Sequence, residues 1–101
     1  MNDQILQAIE RLKETFPEAR FIVFGSQATG NTSTDSDLDL CVIFPSLSAD
    51  PFDLIYDTRV EARKYLSMAM DIFVLSEQDF TSRSQQNGSL EHIIASEGIA
   101  V

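Results

Sequence analysis

The spacing of hydrophobic residues changes several times along this chain, and each change marks an element. From Asp3 to about Phe16 the apolar positions are Ile5, Leu6, Ile9, Leu12 and Phe16. These fall on one stripe of a helix, and Pro17 ends it. "ARFIVFG" then runs apolar without a gap to Gly25, "DLDLCVIF" does the same up to Pro45, and "DIFVL", Asp71 to Leu75, is a third such run. Short continuous runs bounded by turn residues predict buried strands. All three are apolar on both faces beyond their first residues, so cover is expected on both sides. Between the second and third runs, Asp50-Pro51 offers a capping side chain and a proline suited to the first helical position. Phe52, Ile55, Tyr56 and Val60, extending to Leu66, are the predicted apolar face of that helix. "SEQDF" opens another helix with a capping-box pattern. "SLEHIIASEG" predicts a last short helix, stopped by Gly98. The order helix, strand, Gly-Ser turn, strand, helix, strand, helix, helix predicts one α+β (α/β) domain over 1–101, a small sheet with helices packed on it.

The polar positions at the strand ends carry the candidate chemistry. Asp37 and Asp39 open the second run, and residues two apart in a strand project to the same face. Their Cα atoms are expected roughly 6.6–7 Å apart from the strand rise. Carboxylates so placed converge on one hard cation, and without a cation they repel. Asp71 opens the third run, so if the two strands are neighbours its carboxylate reaches the same spot. Oxygen donors with no nitrogen or sulfur ligand nearby favour Mg²⁺ or Mn²⁺ over zinc. Aspartates also cap strand ends and bind turn amides, the structural alternative for the pair taken alone. Gly25-Ser26 follows the first run directly. A glycine there lets the backbone approach a ligand, and the first amides of a short helix through "SQATG" attract anions. "GSQATG" is neither a Walker A loop nor a Rossmann fingerprint, since it lacks the lysine and the Gly-x-Gly spacing.

Composition narrows the setting. With 44% hydrophobic and 23% charged residues the chain is an ordinary globular sequence rather than a disordered one. No apolar stretch is long enough for a membrane span, and the N-terminus has neither signal-peptide nor transit-peptide character, so a cytoplasmic location is expected. The single cysteine, Cys41, excludes an internal disulfide and reads as a small buried residue. His92 has no second His or Cys with which to share a metal and reads as a helix-surface or packing residue. The net charge of −9 argues against direct nucleic-acid binding. It suits a protein that handles polyphosphate through a divalent cation, or one that docks on a basic partner.

"GSQATGNTSTDSDLDLCV" resembles the Gly-Ser, then Ser-Asp-x-Asp-Leu signature of the polymerase-beta-like nucleotidyltransferase superfamily, and within it the minimal, MNT-type branch. The resemblance covers Phe21 to Leu75, with Asp71 where that family carries its third carboxylate. It implies a mixed sheet flanked by helices, two Mg²⁺ ions (Mn²⁺ as a substitute) and transfer of a nucleoside monophosphate, AMP from ATP, to a hydroxyl with release of pyrophosphate. Carried over, Gly25, Ser26 and Ser36 would hold phosphates and Asp37 and Asp39 would ligate metal. Asp71 would ligate the second metal and position or deprotonate the attacking hydroxyl. Many relatives have Arg after the Gly-Ser pair; Gln27 stands there instead, which puts in doubt a charged phosphate contact from that position.

Larger relatives bind the acceptor with an added helical domain, and little chain follows the third strand here. The acceptor is therefore expected from another protein. Proteins resembling this branch are commonly paired with small helical HEPN proteins, often ribonuclease toxins, which they neutralise as antitoxins by adding AMP, by binding, or both. The resemblance thus implies AMP transfer to a partner hydroxyl such as a tyrosine, within a homo- or hetero-oligomer. Its rivals are a binding-only antitoxin and a transferase for a small molecule such as an antibiotic.

Overall fold

The computed structural model describes residues 2–30 and 37–101. Helix α1 (Asp3–Thr15) begins where the Asn2 side chain accepts a hydrogen bond from the Ile5 amide at 2.8 Å. It buries Ile5, Ala8, Ile9 and Leu12, while Leu6 stays outside. Strand β1 (Arg20–Phe24), the short turn of helix α2 (Ser26–Thr29) and strand β2 (Leu38–Phe44) follow. Helix α3 (Pro51–Ala62) then crosses to strand β3 (Met70–Ser76), and helices α4 (Glu77–Ser84) and α5 (Leu90–Glu97) lead to a two-residue strand, β4 (Ile99–Ala100). The predicted elements are all present; β4 is additional.

The sheet is mixed, in the order β3-β2-β1-β4. β1 is antiparallel to both β2 and β4, and β2 is parallel to β3. A parallel pair needs a crossover, and α3 supplies it. One face of the sheet (Phe21, Val23, Leu38, Leu40, Val42, Ile72 and Val74) packs on the buried residues of α1 and α3. The other (Ile22, Phe24, Cys41 and Ile43) packs on Phe80 of α4 and Ile94 of α5. Each large side chain fully buried this way contributes about 1.5–3 kcal/mol.

Two expectations fail. The buried stripe of α3 is Leu54, Thr58 and Ala62, continued by Leu66, whereas Phe52, Tyr56 and Val60 are 80%, 66% and 45% exposed. The correction turns on Thr58, whose hydroxyl donates to the Leu54 carbonyl at 2.7 Å. With its hydrogen bond satisfied on its own helix, a threonine can be fully buried, and the aromatic residues face outward. Strand β3 is not covered on both sides either: it alternates, with Asp71 and Phe73 exposed between Met70, Ile72 and Val74.

The two caps read from the sequence hold: Asp50 accepts from the Phe52 amide and Ser76 from Asp79. Ser89, not singled out in the sequence, caps α5 by accepting from the His92 amide. His92 is a packing residue: its Nδ1 lies 2.9 Å from the Ser84 carbonyl, which requires the proton on Nδ1 and ties α5 to the end of α4. Cys41 is buried, and burial pushes its thiol up to about 12, so it stays protonated and inert. Among the described residues no helix is long and apolar enough to cross a membrane.

Candidate active site

The parallel register of β2 and β3 sets Asp39 directly opposite Asp71. By strand alternation Asp39 shares its face with Cys41 and Ile43, and Asp71 shares its face with Phe73 and Leu75. Both carboxylates therefore sit on the α4–α5 side of the sheet, at the end where β2 and β3 begin. Asp39 is partly buried and Asp71 is exposed.

Asp39 bears the strain of this arrangement. Its carboxyl is held above its ordinary value, first by burial, then by the charge of Asp71 and a side-chain hydrogen bond with it, and last by the charge of Asp37. No arginine or lysine contributes to its environment.

β1 ends at the same mouth, because it runs antiparallel to β2 and pairs Phe24 with Asp39. The next residue is Gly25, with φ 72° and ψ −151°, a conformation that only glycine adopts readily. A Cβ on Gly25 would also run into the Asp39 Oδ2 atom. Glycine is required here twice, by its backbone angles and by the carboxylate packed against it. The sequence suggested backbone approach to a ligand; the nearest group is the carboxylate of the site itself.

The Gly25 carbonyl accepts from the amides of Ala28 and Thr29 at 3.1 and 3.2 Å, and Gly30 ends the turn in the left-handed region with its amide on the Ser26 carbonyl. Ser26 and Gln27 precede the first bonded amide of this turn. Gln27 is buried, so the position after the Gly-Ser pair holds an uncharged side chain within the protein.

The structure thus brings Gly25, Ser26, Asp39 and Asp71 to one end of three adjacent strands. Asp37 lies just before β2, exposed, and acts on Asp39 through its charge. Ser36, the other expected phosphate contact, lies outside the described residues. Among the described residues no three His, Cys, Asp or Glu side chains are gathered as a closed metal-binding set. The donor chemistry that is present, two facing carboxylates with a third nearby and no nitrogen or sulfur, fits a hard divalent cation.

Comparison with known proteins bears on the fold and the family. The chain overlays a crystal structure described as that of a candidate nucleotidyltransferase from Sulfolobus solfataricus, with a TM-score of 0.61 and 19% identity, over 96% of this chain and 75% of that one. At that identity the likeness speaks for the fold. No curated protein matches the chain. The family model for the nucleotidyltransferase domain matches residues 5–97, nearly the whole sequence and every element that carries the site. The chain belongs to the nucleotidyltransferase domain family.

Proposed function

We propose that this domain transfers AMP from ATP to a hydroxyl of a partner protein, through a centre built from Gly25, Ser26, Asp37, Asp39 and Asp71. The observation that carries the reading is the cross-strand register of Asp39 and Asp71, two carboxylates facing each other with no protein cation between them. Asp37, Asp39 and Asp71 would hold Mg²⁺, which when bound neutralises phosphate charge and polarises the reacting phosphoryl group. Gly25 brings the backbone against Asp39 without a side chain in the way, and Ser26 offers its amide and hydroxyl to phosphate oxygens. Asp71, the more exposed of the facing pair, would orient the acceptor hydroxyl and take its proton. The acceptor oxygen bonds to the α-phosphorus, and the bond from that phosphorus to the bridging oxygen breaks. Pyrophosphate leaves with the electron pair. Positioning and charge neutralisation carry most of such a reaction.

The acceptor we favour is a tyrosine or other hydroxyl residue on a HEPN-type toxin, which makes the domain an antitoxin that acts by AMP addition. A net charge of −9 suits docking on a basic, RNA-handling protein. A second reading, neutralisation by contact alone, is favoured by one observation: the outward stripe of Phe52, Tyr56 and Val60 on α3. The two readings separate in one experiment. The protein is incubated with a neighbouring HEPN protein, Mg²⁺ and each α-labelled NTP, and label and added mass are followed on the HEPN protein. Transfer predicts label from ATP that disappears in an Asp37→Ala, Asp39→Ala double variant. A double variant that still protects cells as well as wild type would establish contact as the mechanism, and wild type that labels nothing would sink the transfer reading.

A further inference from the structure

The two edges of the sheet differ. One is β4, two residues long. The other is β3, seven residues long, whose only strand neighbour among the described residues is β2. Natural edge strands are protected by shortness, by charged side chains, lysine above all, by proline or by a covering element. β4 is short; β3, "MDIFVLS", is long, has neither lysine nor proline, and carries its one charge, Asp71, at its beginning. Ile72, Phe73, Val74 and Leu75 of β3 line a groove of about 190 Å³. Residues from both faces of β3 line this groove, so it opens along the strand edge. Ile55 of α3, Arg83 of α4, and Leu90, Glu91 and Ile94 of α5 complete the lining. Phe73 and Leu90 are 37% and 40% exposed there. Asp71, two residues before Phe73, lies at the end of the same strand.

We propose that the free edge of β3 binds the acceptor as an extended polypeptide segment, by strand addition, and so delivers its hydroxyl to Asp71. Unpaired backbone groups call for backbone, and a groove between two helices admits a single strand. A second copy pairing edge to edge would bring its own α3 and α5 against these. An added strand lies about 4.8 Å away, with directly opposed Cβ atoms about 4.5–5.5 Å apart. The segment residue opposite Asp71 therefore projects to the face that carries both carboxylates, and residues two and four positions away stand beside Phe73 and Leu75. The preferred acceptor is a hydroxyl residue with apolar side chains at those two spacings. Only the role of the hydroxyl rests on the transferase reading; the docking does not.

The test uses the full chain, ¹⁵N-labelled, and blocked peptides with lysine ends, one tyrosine, and apolar residues two and four positions from it. Titration is expected to shift the amides of Met70–Ser76 and to slow the exchange of alternate β3 amides. N-methylation of alternate peptide amides in one register should weaken binding at least about tenfold, and in the other register by less than about threefold. Leu90→Lys, at an exposed rim position, should weaken binding about five- to tenfold with the spectrum otherwise unchanged. Equal loss in both methylation registers, shifts on α3 in place of β3, or a dimer sedimenting with β3 already protected would each overturn the proposal. ATP and Mg²⁺ titrated in the same way report on Gly25 and Ser26. Nucleotide shifts without peptide shifts would defeat the docking and leave the transferase reading standing; the reverse would defeat the transferase reading and leave the docking standing.

Discussion

The two ends of this sheet handle charge in opposite ways. At the end where β1 begins and β3 finishes, Arg20 meets Glu77 in a two-pronged pair at 3.0 and 2.8 Å, with the guanidinium 5.2 Å from the Phe80 ring centre. That end supplies its own countercharge. At the opposite end, Asp39 faces Asp71 with Asp37 nearby and no basic partner among the described residues. Glu77 is held below its ordinary value by its hydrogen bond to Arg20, and Asp39 above its ordinary value by burial and by Asp71. One end is complete as folded, whereas the other holds like charges together, a repulsion that the cation proposed above would relieve.

The largest effect expected is on chemistry. Asp39→Ala or Asp71→Ala should lower nucleotidyl transfer by at least about a hundredfold, in line with loss of a group that stabilises transition-state charge. The far-end variant Glu77→Gln should leave the rate within about twofold in the same labelled-NTP assay. A comparable loss from Glu77→Gln would erase the distinction between the ends.

Next in size is Gly25→Ala. The added methyl meets both a disallowed φ and the Asp39 carboxylate, so a loss of about 1–3 kcal/mol is expected in urea unfolding, together with loss of transfer. Gly25→Ala in an Asp39→Ala background should recover the steric part and leave the backbone part. Equal losses in both backgrounds would mean that the contact with Asp39 contributes nothing.

The smallest effects sharpen the contrast through pH. Glu77 has a lowered value, so its stabilisation is present above its ordinary 4.5 and lost as pH falls through the lowered one. The pair is half-exposed, and Glu77→Gln should destabilise by about 0–1 kcal/mol at neutral pH and not at all in strong acid. Asp39 has the opposite sign. Its folded form holds a proton that the unfolded chain has released, so its contribution to stability falls as pH rises from its ordinary 3.8 through the raised value. Urea midpoints of Glu77→Gln and Asp39→Asn, followed from acid to neutral pH, should therefore diverge from wild type in opposite directions.

Much of this was legible from the residues. The strands read correctly because unbroken apolar runs between Gly and Pro have few other solutions, and Asp71 was placed by opening such a run. The helix caps at Asp50 and Ser76 followed from side-chain chemistry next to a helical pattern. The face of α3 did not read correctly, because hydrophobicity alone favours Phe52 and Tyr56 over Thr58, and only the folded helix shows that the Thr58 hydroxyl is satisfied internally. β4 was invisible because Ile99–Ala100 is too short to carry a period. At the site, the sequence placed Asp37 and Asp39 as equals. The register instead pairs Asp39 with Asp71 and leaves Asp37 at the rim, a long-range fact that strand alternation cannot supply.

The central claim is that the Asp39–Asp71 pair weakens the empty protein in order to bind a cation and nucleotide. The most direct test is the thermal midpoint of wild type and Asp39→Asn at neutral pH, without ligand and then with Mg²⁺ and ATP. The account predicts a reversal: Asp39→Asn melts a few degrees higher alone and lower than wild type when both ligands are present. A variant that melts below wild type in both conditions by the same margin would make Asp39 a structural residue and contradict the account.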